Sequence, residues 1–440
     1  MDTRCKKKVL VISYLPWSNE ISVGNTLSNL FSGLEEFEFA SLYFKGGIVN
    51  NGIAKRYFYI SEKELAKSII KRHSVGKEIK NPEKKKIAAS TNSRLYDKAR
   101  MVRWESLLLC QDCVGLLGKW KTKALDDFIE DFKPDIIFGP LGRVPVANLV
   151  IEYIYKKYNV PVITYAWDDH YSLHKKSASP FFWIKTMLER KFIKRSANVS
   201  SFLYTITEPM KEEYNAYFQK NCKVLYKAYD FIGEAPIKKK IQLPIKMIYM
   251  GNLGSGRWQE LAKLINAVSR INKNEKRVEI FIYSLSPKNK EMLDALCIEG
   301  TSSIMNPVAN EDVIPKMKSA DILLHVEPTN KKDLQFFRLS FSTKIVDYLY
   351  NARCILAFGG STAAMSYLKQ NEAAIVVEDA TQLEKQIRCL LDNPDEIIQR
   401  GRKAWECGVR NHQRQTIQTR LSSDLNEVIF EGKAKFGEKK

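Results

Sequence analysis

No run of apolar residues in this 440-residue sequence approaches the roughly 20 needed to cross a bilayer. The best stretch, Leu107 to Leu117, is broken by Gln111 and Asp112, so an integral membrane protein is not expected. Glycine and proline are sparse, at 21 and 15 residues, which excludes collagen-like and low-complexity chains. The eight cysteines are scattered from Cys5 to Cys407 and form no disulfide framework, which points to a reducing cytosol. Cys110-x-x-Cys113 has no second pair and lies in a helical stretch, so it reads as part of a helix face. Acidic residues are in deficit, 50 against 70 Lys and Arg, leaving a net charge of +20. Such a balance calls for an anionic partner: nucleic acid, an anionic membrane surface, or a phosphate-bearing substrate. Met1 to Lys8 is basic, but Val9–Trp17 is short, contains Pro16 and lacks a small-residue cleavage site, so no secretory leader is expected.

What remains is an ordinary globular composition, 45% apolar and 27% charged, with length for about three domains or two large ones. Lys8 to Ser13 is a continuous apolar run, as in a parallel strand buried on both faces. Pro16 ends it, and Gly24-Asn25-Thr26 opens a helical pattern from Leu27. Residues 61–103 are basic and polar and read as an insertion or mobile loop. Helical patterning returns over 104–132, and strands are predicted at Ile136–Phe138, Val160–Tyr165 and Ser201–Ile206. Phe181 to Arg195 is a basic amphipathic helix, whose aromatics suit either a membrane interface or the core. Residues 226–244, with Gly233, Pro236, three consecutive lysines and Pro244, read as an interdomain linker. A second α/β unit follows, with strands at Ile245–Met250, Val278–Tyr283, Ile322–His325, Cys354–Phe358 and Ala374–Val377. Two such units predict a central cleft between doubly wound, Rossmann-like domains.

Three motifs carry chemistry. Gly251-Asn252-Leu253-Gly254-Ser255-Gly256-Arg257 lies between a strand and a helix, where backbone amides and Arg257 suit an anion. It matches neither the dinucleotide fingerprint nor the P-loop, and an ordinary turn is the plain alternative. Arg338-Leu339-Ser340-Phe341-Ser342-Thr343-Lys344 opens a second helix, with Asp347 one turn further in. Its hydroxyls, amides and cations suit a pyrophosphate, and Asp347 a ribose; a capped surface helix is the alternative. Trp167-Asp168-Asp169-His170 ends a strand of the first unit, where an Asp or His can deprotonate an acceptor hydroxyl. His170 and His174 are four apart, a spacing that also occurs in metal sites.

Taken in order, Gly24-Asn25-Thr26, Pro134-Asp135-Ile136-Ile137, Tyr204 to Tyr214, Tyr249 to Leu253 and Ser342 to Leu349 resemble a GT-B fold glycosyltransferase. The similarity is to glycosyltransferase family four and related enzymes of bacterial polysaccharide synthesis, and spans most of residues 8–400. The resemblance implies an acceptor-binding domain over 1–225, a linker over 226–244, a donor-binding domain over 245–400 and a helical tail over 401–440 packing back on the first domain. It implies a hexosyltransferase-type enzyme moving a sugar from a nucleoside diphosphate sugar to a glycan or lipid-linked glycan, without a cofactor or essential metal, in the cytoplasm or peripherally on the inner membrane face. Gly251, Asn252, Gly254, Arg257, Arg338, Ser340, Ser342, Thr343, Lys344 and Asp347 would bind the donor. Asp168, Asp169 and His170 would act in catalysis, and Gly24, Asn25 and Thr26 would form an acceptor-side loop. Such enzymes often carry two glutamates, of which Asp347 matches the second. The first position is Leu339, so retention and inversion both stay open, with Glu327 a poorly aligned substitute. The alternatives are a nucleotide-sugar epimerase of the same architecture and, from another class, a basic nucleic-acid-binding protein. No helix-turn-helix, RNP or zinc-finger pattern supports the latter, and no nucleic-acid partner is expected.

Overall fold

A computed structural model describes residues 6–17, 22–47, 49, 52–71, 73–79 and 105–437. The chain divides into two compact units: residues 1–228 with 415–440, and residues 229–414.

The first unit is built on an eight-stranded sheet in the order β4-β3-β2-β1-β5-β6-β7-β8. Its strands are β1 (Lys7–Ser13), β2 (Phe37–Tyr43), β3 (Ala54–Tyr59), β4 (Lys77–Glu78), β5 (Ile136–Pro140), β6 (Val162–Ala166), β7 (Phe202–Thr205) and β8 (Cys222–Val224). All pairs are parallel except β3 with the edge strand β4. The second unit has a six-stranded, wholly parallel sheet in the order β11-β10-β9-β12-β13-β14. These strands are β9 (Ile245–Met250), β10 (Val278–Tyr283), β11 (Ser302–Met305), β12 (Ile322–Glu327), β13 (Cys354–Gly359) and β14 (Ile375–Val377). In both sheets the strand order reverses beside the first strand of the unit, the topological switch point at whose carboxyl edge α/β proteins bind ligands.

The same aspartate device sets the register of both central pairs. Asp135 accepts from the Lys8 amide at 2.9 Å and donates its own amide to the Lys8 carbonyl. Asp321 does the same with Lys246, at 2.7 Å. Each carboxylate satisfies a strand-start amide that no neighbouring strand reaches. Central strands are buried along nearly their whole length, which is why they read as mainly apolar runs.

Several sequence expectations shift. Gly24, Asn25 and Thr26 do not precede a helix but lie inside one, Ser22–Phe31. The basic stretch expected as an insertion contributes a helix, Glu62–Ile70, and the edge strand β4; residues 80–104 lie outside the described residues. Of the expected linker, residues 229–244 pack in the second unit. Arg353 there donates to the Pro236 carbonyl at 2.6 Å, and Lys238 pairs with Asp321. The expected tail also divides. The Pro394–His412 helix belongs to the second unit, and the Arg414–Gly437 helix lies almost wholly in the first, where buried Asp424 accepts from Lys223 at 2.6 Å. The reason is burial: Trp405, Cys407 and His412 each have a buried position within the second unit.

Candidate functional site

In the second unit, β9 runs out at Met250 into the glycine loop and then into the Arg257–Ile271 helix. The loop closes on itself. The Gly251 amide donates to the Tyr283 carbonyl at 3.0 Å, and the Leu253 amide to Ser286 Oγ at 3.0 Å. The Gly254 amide donates to Asn252 Oδ1 at 2.6 Å, an oxygen that also accepts from Ser286. These donors were expected to face an anion; the structure commits them to holding the loop's shape. Gly256 sits at φ +80°, and a Cβ there would lie 2.5 Å from Asn330 Nδ2, so glycine is required at this crossing.

The loop's cation is Arg257, anchored by a buried carboxylate. Glu327, the last residue of β12 and only 3% exposed, accepts from Arg257 Nη2 at 3.2 Å. Its other oxygen faces His325 Nε2, also at 3.2 Å. The guanidinium further lies over the Phe337 ring, 4.1 Å from its centroid. Burial alone would push the Glu327 carboxyl up, yet His325 and Arg257 together hold it below the usual glutamate range. Gly359 of β13 passes so close that a Cβ would meet the Glu327 carbonyl oxygen at 1.9 Å.

The segment from Arg338 to Lys344 alternates. Leu339 and Phe341 are buried, Arg338, Ser340, Ser342 and Thr343 are half-buried, and Lys344 is exposed. The two apolar residues anchor the segment, Phe341 against the Tyr367 ring at 5.1 Å. Thr343 immediately precedes the Lys344–Tyr350 helix, and Asp347 is half-buried in its first turn. Tyr348 ties this helix to the glycine loop. Its hydroxyl bonds the Met250 carbonyl at 3.3 Å and the Leu324 carbonyl at 3.2 Å. Tyr348, in the second half of its helix, therefore sits against the end of β9 and the middle of β12. Arg257 opens the helix that follows β9, and Arg338 to Thr343 lead into the helix that Lys344 opens.

In the first unit, β6 leads into Trp167-Asp168-Asp169-His170. Asp168 is exposed and His170 half-buried. Asp169 is 4% exposed, and its carboxylate accepts from the amides of Tyr171 and Ser172, at 3.2 and 3.0 Å, from the Ser172 hydroxyl, and from Tyr214 Oη at 3.2 Å. Burial raises its carboxyl, but the hydrogen bonds from Ser172 and Tyr171 bring it below the usual aspartate range. A carboxylate so committed clamps its loop and is a poor base, which removes Asp169 from the catalytic candidates. His170 is pushed well below its ordinary value by burial and by Lys175, Arg143 and Lys185, so its imidazole is neutral. His174 is exposed, and among the described residues no group of three or more His, Cys, Asp or Glu forms a metal site. Gly24 and Thr26 are buried in their helix and Asn25 is exposed.

Sequence reasoning passed over His325 and gave Glu327 no firm place. The signal was present: a strand whose alternation continues as His325-Val326-Glu327 puts two polar side chains on one face at a strand end.

No protein-family model matches this chain, and no curated protein sequence matches it. Among solved structures it is similar to Anabaena Alr3699/HepE in complex with UDP and glucose, at 10% identity and TM-score 0.59, over 96% of this chain and 100% of that one. It is similar also to a sucrose-phosphate synthase from Thermosynechococcus elongatus, at 10% identity and TM-score 0.63, over 97% and 100%. A third is an alpha,alpha-trehalose-phosphate synthase from Burkholderia vietnamiensis, at 10% identity and TM-score 0.57, over 96% and 100%. The fold they share with this chain is GT-B.

Proposed function

We propose that this GT-B-fold chain is a glycosyltransferase that takes a sugar from a nucleoside diphosphate sugar. The observation that carries the reading is the cationic, hydroxyl-bearing edge of the second sheet, where Tyr348 holds the 344–350 helix against the end of β9. A departing diphosphate gains charge as the sugar bond breaks. Lys344, Arg257 and Arg338, with the hydroxyls of Ser340, Ser342 and Thr343, supply fixed positive charge and donors for it, the work a metal does elsewhere. Asp347, in the first turn of that helix, would accept from a ribose. The Alr3699/HepE structures, which hold UDP and UDP-glucose, support the donor class.

On the acceptor side, neutral His170 and exposed Asp168 are the groups able to take a proton from an attacking hydroxyl. The acceptor we propose is a glycan or lipid-linked glycan of bacterial surface polysaccharide synthesis. The Pro180–Val199 helix favours a lipid surface nearby. Phe181, Ile184 and Met187 are 47%, 55% and 52% exposed, and the same stripe continues through exposed Lys191 and Lys194. Apolar residues followed by lysines on one helix face suit an anionic membrane. No helix among the described residues is long and apolar enough to cross a membrane.

The test is a thermal-shift screen against UDP, GDP, ADP and their sugars, followed by calorimetry on Lys344→Ala. One nucleotide should stabilise the wild type and lose affinity in the variant. If none shifts the unfolding temperature, or if affinity is unchanged without Lys344, the donor assignment fails. Product analysis with and without acceptor then separates transfer from epimerisation of the donor.

A further inference from the structure

Just after β12 comes a short helix, Lys331–Phe337, in which no residue is buried; Leu334, Phe336 and Phe337 are all half-buried. A helix with three large apolar side chains ordinarily shuts one face away from water. This one is held by its ends instead. Before it, the Thr329 amide and hydroxyl both donate to Glu260 Oε1, at 3.3 and 2.5 Å, and Asn330 Oδ1 caps it by accepting from the Asp333 amide at 2.9 Å. After it, the Arg338 carbonyl accepts from the Ala363 amide at 2.8 Å. In its middle, Leu334 packs where Gly360 has no side chain, since a Cβ there would lie 2.6 Å from Leu334 Cδ1. Pinning of this kind fixes where the last helical residue, Phe337, lies.

What Phe337 meets is Arg257, whose guanidinium carbon is 4.1 Å from the ring centroid. A guanidinium carries five N–H donors in a rigid fork. The ring attracts its charge and takes none of them as a conventional hydrogen bond. Glu327 takes one, through Nη2 at 3.2 Å. Nε and Nη1 make no hydrogen bond among the described residues, and the side chain keeps 17% of its surface exposed. An arginine kept only to neutralise Glu327 would be better served with those donors satisfied. A phenylalanine kept only to cover apolar surface would be buried. Arg257 is thus held by a buried carboxylate and by a ring, with donors to spare. A long side chain loses rotamer freedom when it grips a ligand, and one already fixed loses less.

We infer that Phe337 is a positioning residue for the donor: with Glu327 it holds Arg257 so that Nε and Nη1 meet diphosphate oxygens. The inference rests on the glycosyltransferase reading and adds a residue that acts through Arg257 rather than by touching the donor. The experiment is calorimetry of UDP, GDP and ADP on the full chain, continued with whichever binds the wild type most tightly. Phe337→Leu keeps the apolar bulk and removes the ring, and Kd should rise roughly fivefold. Phe337→Tyr keeps the ring and should bind within about twofold of the wild type. Arg257→Ala should raise Kd roughly tenfold. Adding Phe337→Leu to it should change nothing further, because the ring then has no cation to place. A purely structural role for Phe337 would weaken binding as much without Arg257 as with it. Should Arg257→Ala fold poorly, the contrast of Phe337→Leu with Phe337→Tyr still decides. No loss in Phe337→Leu, an equal loss in Phe337→Tyr, or equal losses with and without Arg257 overturns the inference, even where binding still depends on Lys344. If no nucleotide binds the wild type, or if binding does not need Lys344, the donor reading fails and takes the inference with it.

Discussion

Replacing Asp112 with asparagine should stabilise the protein, and more so at high pH. Asp112 faces Glu189 and Lys185 on the 180–199 helix, Arg143 on the β5 loop and Glu62 on the 62–70 helix. Burial, then repulsion from Glu189 and Glu62, outweighs attraction to Lys185 and Arg143 and pushes its carboxyl from 3.8 up to about 7. A raised acid binds more protons folded than unfolded between those values, so it removes stability as pH rises. At pH 8.5 the full shift of about three units applies, and at about 1.4 kcal/mol per unit the cost is on the order of 4 kcal/mol. At pH 5.5 the folded side chain keeps its proton, and only the interval above 3.8 counts, roughly 1.7 units or about 2 kcal/mol. Asparagine carries neither cost. Its advantage over the wild type should therefore grow by about 2 kcal/mol between the two pH values, or about 4–8 °C in the melting temperature of a unit this size. Scanning calorimetry of both proteins at both pH values measures it. An advantage that is the same at pH 5.5 and 8.5 would refute the reasoning, because Asp112 would then not titrate in that window.

Lys344→Ala should weaken nucleoside diphosphate binding roughly tenfold by loss of one charge-assisted contact, measured by calorimetry, with little change in melting temperature because Lys344 is exposed. Glu327→Gln leaves Arg257 and His325 without their anion; breaking a buried pair costs about 3–5 kcal/mol, read by urea unfolding. Since the Glu327 carboxyl is held low, that contribution is present above the ordinary glutamate range and disappears as pH falls through the folded value. Asp169→Asn should lower stability by on the order of 2 kcal/mol through weakened loop hydrogen bonds, seen as a pH-dependent melting difference that closes in acid. Serine at Phe181, Ile184 and Met187 together should reduce sedimentation with phosphatidylglycerol vesicles; equal sedimentation of variant and wild type would exclude this helix from a lipid contact.

The alternation of strand and helix was legible because buried parallel strands are written as uninterrupted apolar runs. Cys354–Phe358 was read on that basis, one residue short of the observed strand. β2 was missed because Glu35, Glu36 and Glu38 crowd its start and hide the apolar residues that the sheet buries. β3 was missed because Lys55 and Arg56 sit at the outer side of the sheet, where only the short β4 follows.

Chemistry that depends on residue type was thus set by the sequence alone: two α/β units, a glycine loop, a hydroxyl-and-lysine helix start, and a cationic surplus. Which of those groups is available was decided only by folding. The amides of Gly251, Leu253 and Gly254 are consumed by Tyr283, Ser286 and Asn252, and Asp169 by its own loop, while Arg257 is held in place through one of its nitrogens by Glu327. Asp112, which the sequence presents as a mere interruption of an apolar helix, is the carboxylate left unmet. A side chain's capacity to bond is local, but whether a partner already occupies it depends on residues far away in the chain, and only packing brings those together.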